Sequence, residues 1–156
     1  MIIRFISLLF ILLVGQVPEH GVQGSGTYTI ALPVIMRQMP SPSEIEPNDS
    51  RALAYGPIQL GVTLYGMQND DNDHYDIFSF QGAGGQAIRI SLTNPPRDDM
   101  QLMLHTPTSV LPLVYDYQPP YEINYMLPTN GTYLIVIFFP LGQATNEIYE
   151  LNVYVP

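Results

Sequence analysis

The feature that most limits what this chain can fold into is the shortness of its apolar runs. From Gln59 onward each run lasts roughly five to eight residues, and Pro, Gly, Asn or Asp closes it before a helix of ordinary length could form. Read this way, residues 59–65, 76–80, 86–92, 100–105, 110–115, 121–127, 132–139 and 148–155 are expected to be strands. Turn residues separate them at 82–85, 94–96, 119–120, 129–131 and 140–142. Strict alternation supports the reading: Ile88, Ile90 and Leu92 fall on one side of their run and Arg89 and Ser91 on the other. Tyr149, Leu151, Val153 and Val155 likewise oppose Glu150, Asn152 and Tyr154. The expectation is an all-β, jelly-roll-like antiparallel β-sandwich of about eight strands. Asn130-Gly131 predicts a tight type I′ hairpin between 121–127 and 132–139.

One run breaks the alternation. Residues 133–139 (YLIVIFF) are apolar on both faces, and a sandwich strand has one core to enter, so its second face needs a cover. The segment 27–37, with Tyr28, Ile30 and Leu32 at alternate positions, is the expected intramolecular cover. The rival is a structural or assembly subunit that docks a secreted partner through 133–139.

Charge narrows the partners. Fourteen acidic residues face five basic ones, all arginine, for a formal charge of −9, so nucleic acid is excluded as a natural ligand and cations are favoured. With no cysteine, thiolate metal sites and disulfides are excluded together. The amino end carries Arg4 and then the apolar run 5–14, which as a helix would span about 15 Å, half the ~30 Å of a hydrocarbon core. This reads as a secretory signal peptide over residues 1–24, followed by an extended segment and linker over 25–43 and a folded module over 44–156. A secreted, extracellular location without a stable membrane span is expected.

Oxygen-bearing side chains gather in two places. Glu44-Ile45-Glu46-Pro47-Asn48-Asp49 sets Glu44, Glu46 and Asn48 on one side of an extended peptide. Asn69 to Asp76 (NDDNDHYD) then crowds further Asp and Asn residues just before a strand. Such crowding costs stability unless a cation neutralises it, and Ca²⁺, with its six to eight oxygen ligands, tolerates a donor set of this kind. Two solvated acidic turns are the alternative.

The ordered motifs E-I-E-P-N-D-S with Ala52 and Ala54, Gly61 to Gly66, D-H-Y-D-I-F-S-F, Ala83-Gly84, D-M-Q-L-M-L and N-G-T-Y-L-I-V resemble the bacterial pre-peptidase C-terminal domain. That family includes the collagen-binding domains of clostridial collagenases. The resemblance spans about 43–155 and implies a secreted, non-catalytic binding module. It also implies a calcium ion that stiffens the N-terminal linker against the sandwich. Carried over by position, the metal ligands are Glu44, Glu46, Asn48, Asp49, Asp73 and Asp76, with Asp70 and Asp71 as reserves. Phe78 and the 133–139 run depart from the tyrosine-rich pattern of the collagen-binding relatives, so collagen is not assigned as the ligand.

No catalytic motif is present. Neither His74 nor His105 has a Glu-x-x-His partner, and no Gly-x-Ser-x-Gly elbow positions a serine. Tyr115, Tyr117, Tyr121 and Tyr125, with Pro119 and Pro120 among them, form a candidate aromatic platform for an extracellular protein or polysaccharide surface, a secreted peptidase among them. Ordinary cross-strand packing is the competing reading.

Overall fold

The computed structural model describes residues 10–13, 30–33, 41–68, 71–140 and 144–156. The first 38 residues form one unit and the rest another. In the first unit β1 (Phe10–Leu13) pairs antiparallel with β2 (Ile30–Pro33), with Phe10 opposite Pro33. Most of the expected leader, and most of the 27–37 segment, lies outside the described residues. No helix among the described residues is long and apolar enough to cross a membrane.

The second unit is the expected all-β sandwich. Its eight strands are β3 (Leu64–Met67), β4 (Tyr75–Gly82), β5 (Ala87–Thr93), β6 (Gln101–His105), β7 (Val114–Asp116), β8 (Glu122–Met126), β9 (Gly131–Phe138) and β10 (Ile148–Tyr154). One sheet runs β3-β10-β5-β8 and the other β4-β9-β6-β7, with every pairing antiparallel. Strands consecutive in sequence therefore alternate between the sheets except at β6-β7, the interleaving of a jelly roll. Period-two burial follows from it: Ile88, Ile90 and Leu92 of β5 meet Leu102 and Leu104 of β6 and Ile135 and Ile137 of β9 in a common core.

Four expectations are corrected. The run 59–65 begins as a turn: Gly61 sits at φ 83° and donates its N–H to Val153 O at 2.7 Å, so β3 starts only at Leu64. The run 110–115 shrinks to the three residues of β7, because Pro112 has no N–H for a ladder and Val110 and Leu111 project into solvent. Asn130-Gly131 closes no hairpin. β8 pairs with β5 and β9 with β4 and β6, so the turn carries the chain from one sheet to the other, and Asn130 Oδ1 accepts the Gly84 N–H at 2.8 Å. Val155 lies past the end of β10 and is exposed rather than inward.

The two-faced apolar strand is β9. Tyr133, Ile135, Ile137 and Phe139 enter the main core, while Leu134 and Val136 form a second buried cluster with Ile77. Ala54, from the turn after the acidic arm, and Met103 of β6 pack against that cluster.

The segment 42–58 is not a strand, yet it finishes both sheets at one edge. Glu44 N–H bonds Tyr65 O and Tyr65 N–H bonds Pro42 O along β3. Farther on, Tyr55 N–H bonds Ile77 O, Ser79 N–H bonds Tyr55 O, and Ile58 N–H bonds Ser79 O along β4. β3 and β4 are the outermost strands of the two sheets on this side, so one arm satisfies two open edges that would otherwise leave backbone groups unpaired.

Candidate metal centre

The arm delivers the first acidic stretch to the place where the second begins. Hydrogen bonding of Glu44 to β3 fixes its backbone, and the Ile77 N–H to Asn48 O bond at 3.2 Å fixes Asn48 beside β4. Between these anchors the extended peptide turns Glu44 and Asn48 inward and leaves Ile45, Pro47 and Asp49 exposed. From the other side β4 contributes Asp76, fully buried, and the preceding turn contributes Asp73, also buried. One oxygen each from Glu44, Glu46 and Asp76 lies within 4.8 Å of the others, a group that could hold a metal ion.

Several donors among the described residues reach this group. Glu44 Oε1 accepts the Met67 N–H at 2.6 Å, and its Oε2 accepts Asn48 Nδ2 at 3.0 Å and the Tyr149 hydroxyl at 3.3 Å. The same hydroxyl also lies against Asp76 Oδ2, so its one proton is shared between the two carboxyl groups. Glu46 Oε2 accepts the Asn48 N–H at 2.8 Å. Tyr149 reaches so far only because Gly66 lies above it. A Cβ at Gly66 would sit 2.2 Å from both Cζ and Oη of the tyrosine.

The electrostatics of the metal-free site are unfavourable. Burial, assisted by the charges of Glu46 and Asp73, pushes Glu44 up to about 8. Burial first, and then the charges of Glu44 and Asp73, holds the Asp76 carboxyl well above the usual carboxylate range. Burial and the neighbouring Asp76 also raise Tyr149. Among the described residues the salt bridges are Arg89 with Glu122 and Arg97 with Asp99, and neither involves Glu44 or Asp76.

The donor set fits a hard cation. Asn48 Oδ1, Gln68 Oε1 and Asp76 Oδ1 are buried oxygens without a hydrogen-bond partner. Leaving buried acceptors unpaired costs about 1 to 3 kcal/mol each, a cost that an ion coordinated by them removes. All the candidate ligands are oxygens, which suits Ca²⁺ or Mg²⁺ better than zinc or copper.

The six ligand positions expected from sequence therefore divide. Glu44, Glu46 and Asp76 converge, Asn48 is bonded to Glu44, and Asp73 is near enough for its charge to raise both Glu44 and Asp76. Asp49 points to solvent outside the converging group, because it alternates with Asn48 on an extended peptide. Of the reserves, Asp71 accepts the Ala144 N–H at 2.9 Å on the surface and Asp70 lies outside the described residues. Sequence reasoning missed Tyr149, Gly66 and Gln68. Strand alternation makes Tyr149 an inward core residue, which it is, but does not tell that its hydroxyl ends among carboxylates.

The tyrosine platform is corrected. Tyr121 is fully buried, its hydroxyl accepting the Met100 N–H at 3.1 Å, and Tyr125 is half-buried against the core on the other sheet. Tyr115 and Tyr117 remain, 58% and 57% exposed, with rings stacked 5.7 Å apart. His74 bonds through Nδ1 to Phe139 O at 3.1 Å and belongs to no described metal-ligating group.

No family model matches the chain, and no curated protein matches it. Among solved structures, the pre-peptidase C-terminal domain of a collagenase from Bacillus anthracis is similar at 26% identity, with a TM-score of 0.49 over 62% of this chain and 90% of that one. PliG of Aeromonas hydrophila, a periplasmic inhibitor of g-type lysozyme, is similar at 14% identity, with a TM-score of 0.49 over 64% of this chain and 93% of that one. PliG of Salmonella Typhimurium is similar at 18% identity, with a TM-score of 0.40 over 64% of this chain and 95% of that one. The first of these belongs to the family that the sequence motifs resemble.

Proposed function

We propose that the chain is an exported, non-catalytic binding module whose N-terminal arm is clasped to a jelly-roll sandwich by calcium. The observation that carries this reading is the convergence of Glu44, Glu46 and Asp76, from the arm and from β4, together with Asn48 Oδ1 and Asp76 Oδ1, buried oxygens without a hydrogen-bond partner. Glu44, Glu46, Asn48, Asp73 and Asp76 would hold the ion, with Gln68 beside them. When bound, the ion supplies positive charge that lets the buried carboxylates stay ionised. The protein's own share is positional: Tyr149 and Met67 N–H orient Glu44, and the two backbone ladders hold the arm in reach.

Export rests on the basic start and the apolar run 5–14, and N-terminal sequencing of protein recovered from medium or periplasm tests it. The contact surface in this proposal is the opposite edge of the sandwich. There Tyr115 and Tyr117 with Val110 and Leu111 offer exposed, stacked aromatic and aliphatic area to an extracellular protein or polysaccharide. The rival docking strand is less favoured, because Leu134 and Val136 are 3% and 5% exposed and offer no open face.

Terbium is the direct probe of the clasp, since a lanthanide held beside Tyr149 takes up its excitation energy. Tyrosine-sensitised emission, displaced by calcium and lost in Asp76→Asn, is the expected result. Absence of calcium binding, with one melting midpoint in calcium and in chelator, would overturn the proposal.

A further inference from the structure

The arm has a second attachment, far from the carboxylates. Arg51, in the turn where Leu53 N–H bonds Ser50 O, sends its guanidinium to the end of β6. There Nη1 donates to the carbonyls of Ser109 and Pro107, and Nη2 meets His105 Nδ1 at 3.2 Å. His105 is 5% exposed, on the outward side of β6 opposite Leu134.

We propose that His105 and Arg51 form an acid-sensitive latch, which holds the 50–54 turn against the sheet while the imidazole is neutral and releases it when the ring takes a proton. A guanidinium has donors only, so the contact exists only if Nδ1 presents its lone pair, which requires the neutral tautomer with hydrogen on Nε2. Protonation puts a second N–H on Nδ1, aimed at a positive group, and replaces an attraction by repulsion at the same distance. The groups that face the ring are Arg51 from the arm, the Ser109 backbone from the turn after β6, and the apolar Leu134 from β9. Burial, and then the Arg51 charge, hold the imidazole below its ordinary value of 6.5, so release requires a pH below that value. Ala54 covers the Ile77, Leu134 and Val136 cluster three residues beyond Arg51, so opening the latch loosens that cover too. The latch does not depend on the calcium reading, because neither of its residues belongs to the carboxylate group.

Amide hydrogen exchange across residues 50–55, corrected for the intrinsic effect of pH, tests it between pH about 7 and about 5, with calcium in excess and again in chelator. Wild-type protection is expected to fall roughly tenfold over that range in both buffers, the equivalent of one lost hydrogen bond to a charged group. In His105→Gln, which cannot titrate, it should stay level, and a His105→Gln profile that follows the wild type would overturn the proposal. Arg51→Met gives an independent reading: the NMR-titrated pKa of His105 should rise toward its ordinary value, and an unmoved titration would overturn the proposal equally.

Discussion

The two long edges of this sandwich solve the same problem in opposite ways. At the β3/β4 edge the arm 42–58 pairs with both outer strands and buries acidic groups beneath it. At the other edge β7 and β8 lie side by side with no such arm among the described residues, and what reaches the surface is Tyr115, Tyr117 and a salt bridge between Arg89 and Glu122. Charge that could have been solvated is buried at the first edge, and apolar surface that could have been buried is exposed at the second. Under the proposed function, a cation at the first edge and a macromolecular surface at the second would offset these two arrangements.

The sharpest way to set the edges apart starts from a substitution that serves both. Leu104→Ala, in the shared core, should cost about 2 to 5 kcal/mol by urea melting, equally with and without calcium. Removing calcium should act only through the arm: a hundredfold excess over Kd is worth about 2.7 kcal/mol, so chelation should lower the melting midpoint by roughly 10 °C. Asp76→Asn should erase that difference and, by removing a carboxyl whose ionisation the buried site opposes, raise the midpoint of the metal-free protein. Should the variant keep the full calcium response, the clasp would lie elsewhere.

The pH dependence carries the same contrast. In the metal-free fold Glu44 holds its proton up to about 8, against 4.5 when unperturbed, so the folded chain binds more protons than the unfolded one. That contribution to stability is complete below about 4.5 and is lost as pH rises toward 8, with Asp76 shifted in the same direction. Calcium, which binds the ionised carboxylates, should raise the midpoint most at pH 8 and hardly at pH 4.5. Thermal scans in calcium and in chelator across that range measure both slopes. The smallest effect belongs to the far edge. Tyr117→Ala should change stability by no more than about 0.5 kcal/mol in either buffer, while weakening whatever partner the patch engages.

Much of the architecture was legible because it follows from local rules. The alternation of β5 and β10 gave their buried faces, and the double-sided apolar character of β9 announced that its second face would be covered. Part of that cover, Ala54, was not legible, because one alanine in a polar turn carries no periodic signal, while the expected cover by 27–37 lies mostly outside the described residues. Asn130-Gly131 marked a turn correctly and its topology wrongly, because φ preferences say that the chain bends there and not which sheet receives it. Likewise Tyr121 looked like part of a surface group, since four tyrosines in one stretch share composition but not direction.

The candidate metal centre shows the same division. Two acidic stretches rich in side-chain oxygen are a property of the sequence, and so is the extended geometry that puts Glu44 and Asn48 on one side and Asp49 on the other. That the stretches meet, with a tyrosine from the last strand between them and a glycine from β3 making room for its ring, was decided by the sheet order, which sets β10 beside β3 and lays the arm across β3 and β4. Short-range patterns specify which side of a strand a residue takes, because that depends on the chain's own period. Which distant side chains become neighbours depends on strand pairing, and no local period encodes it.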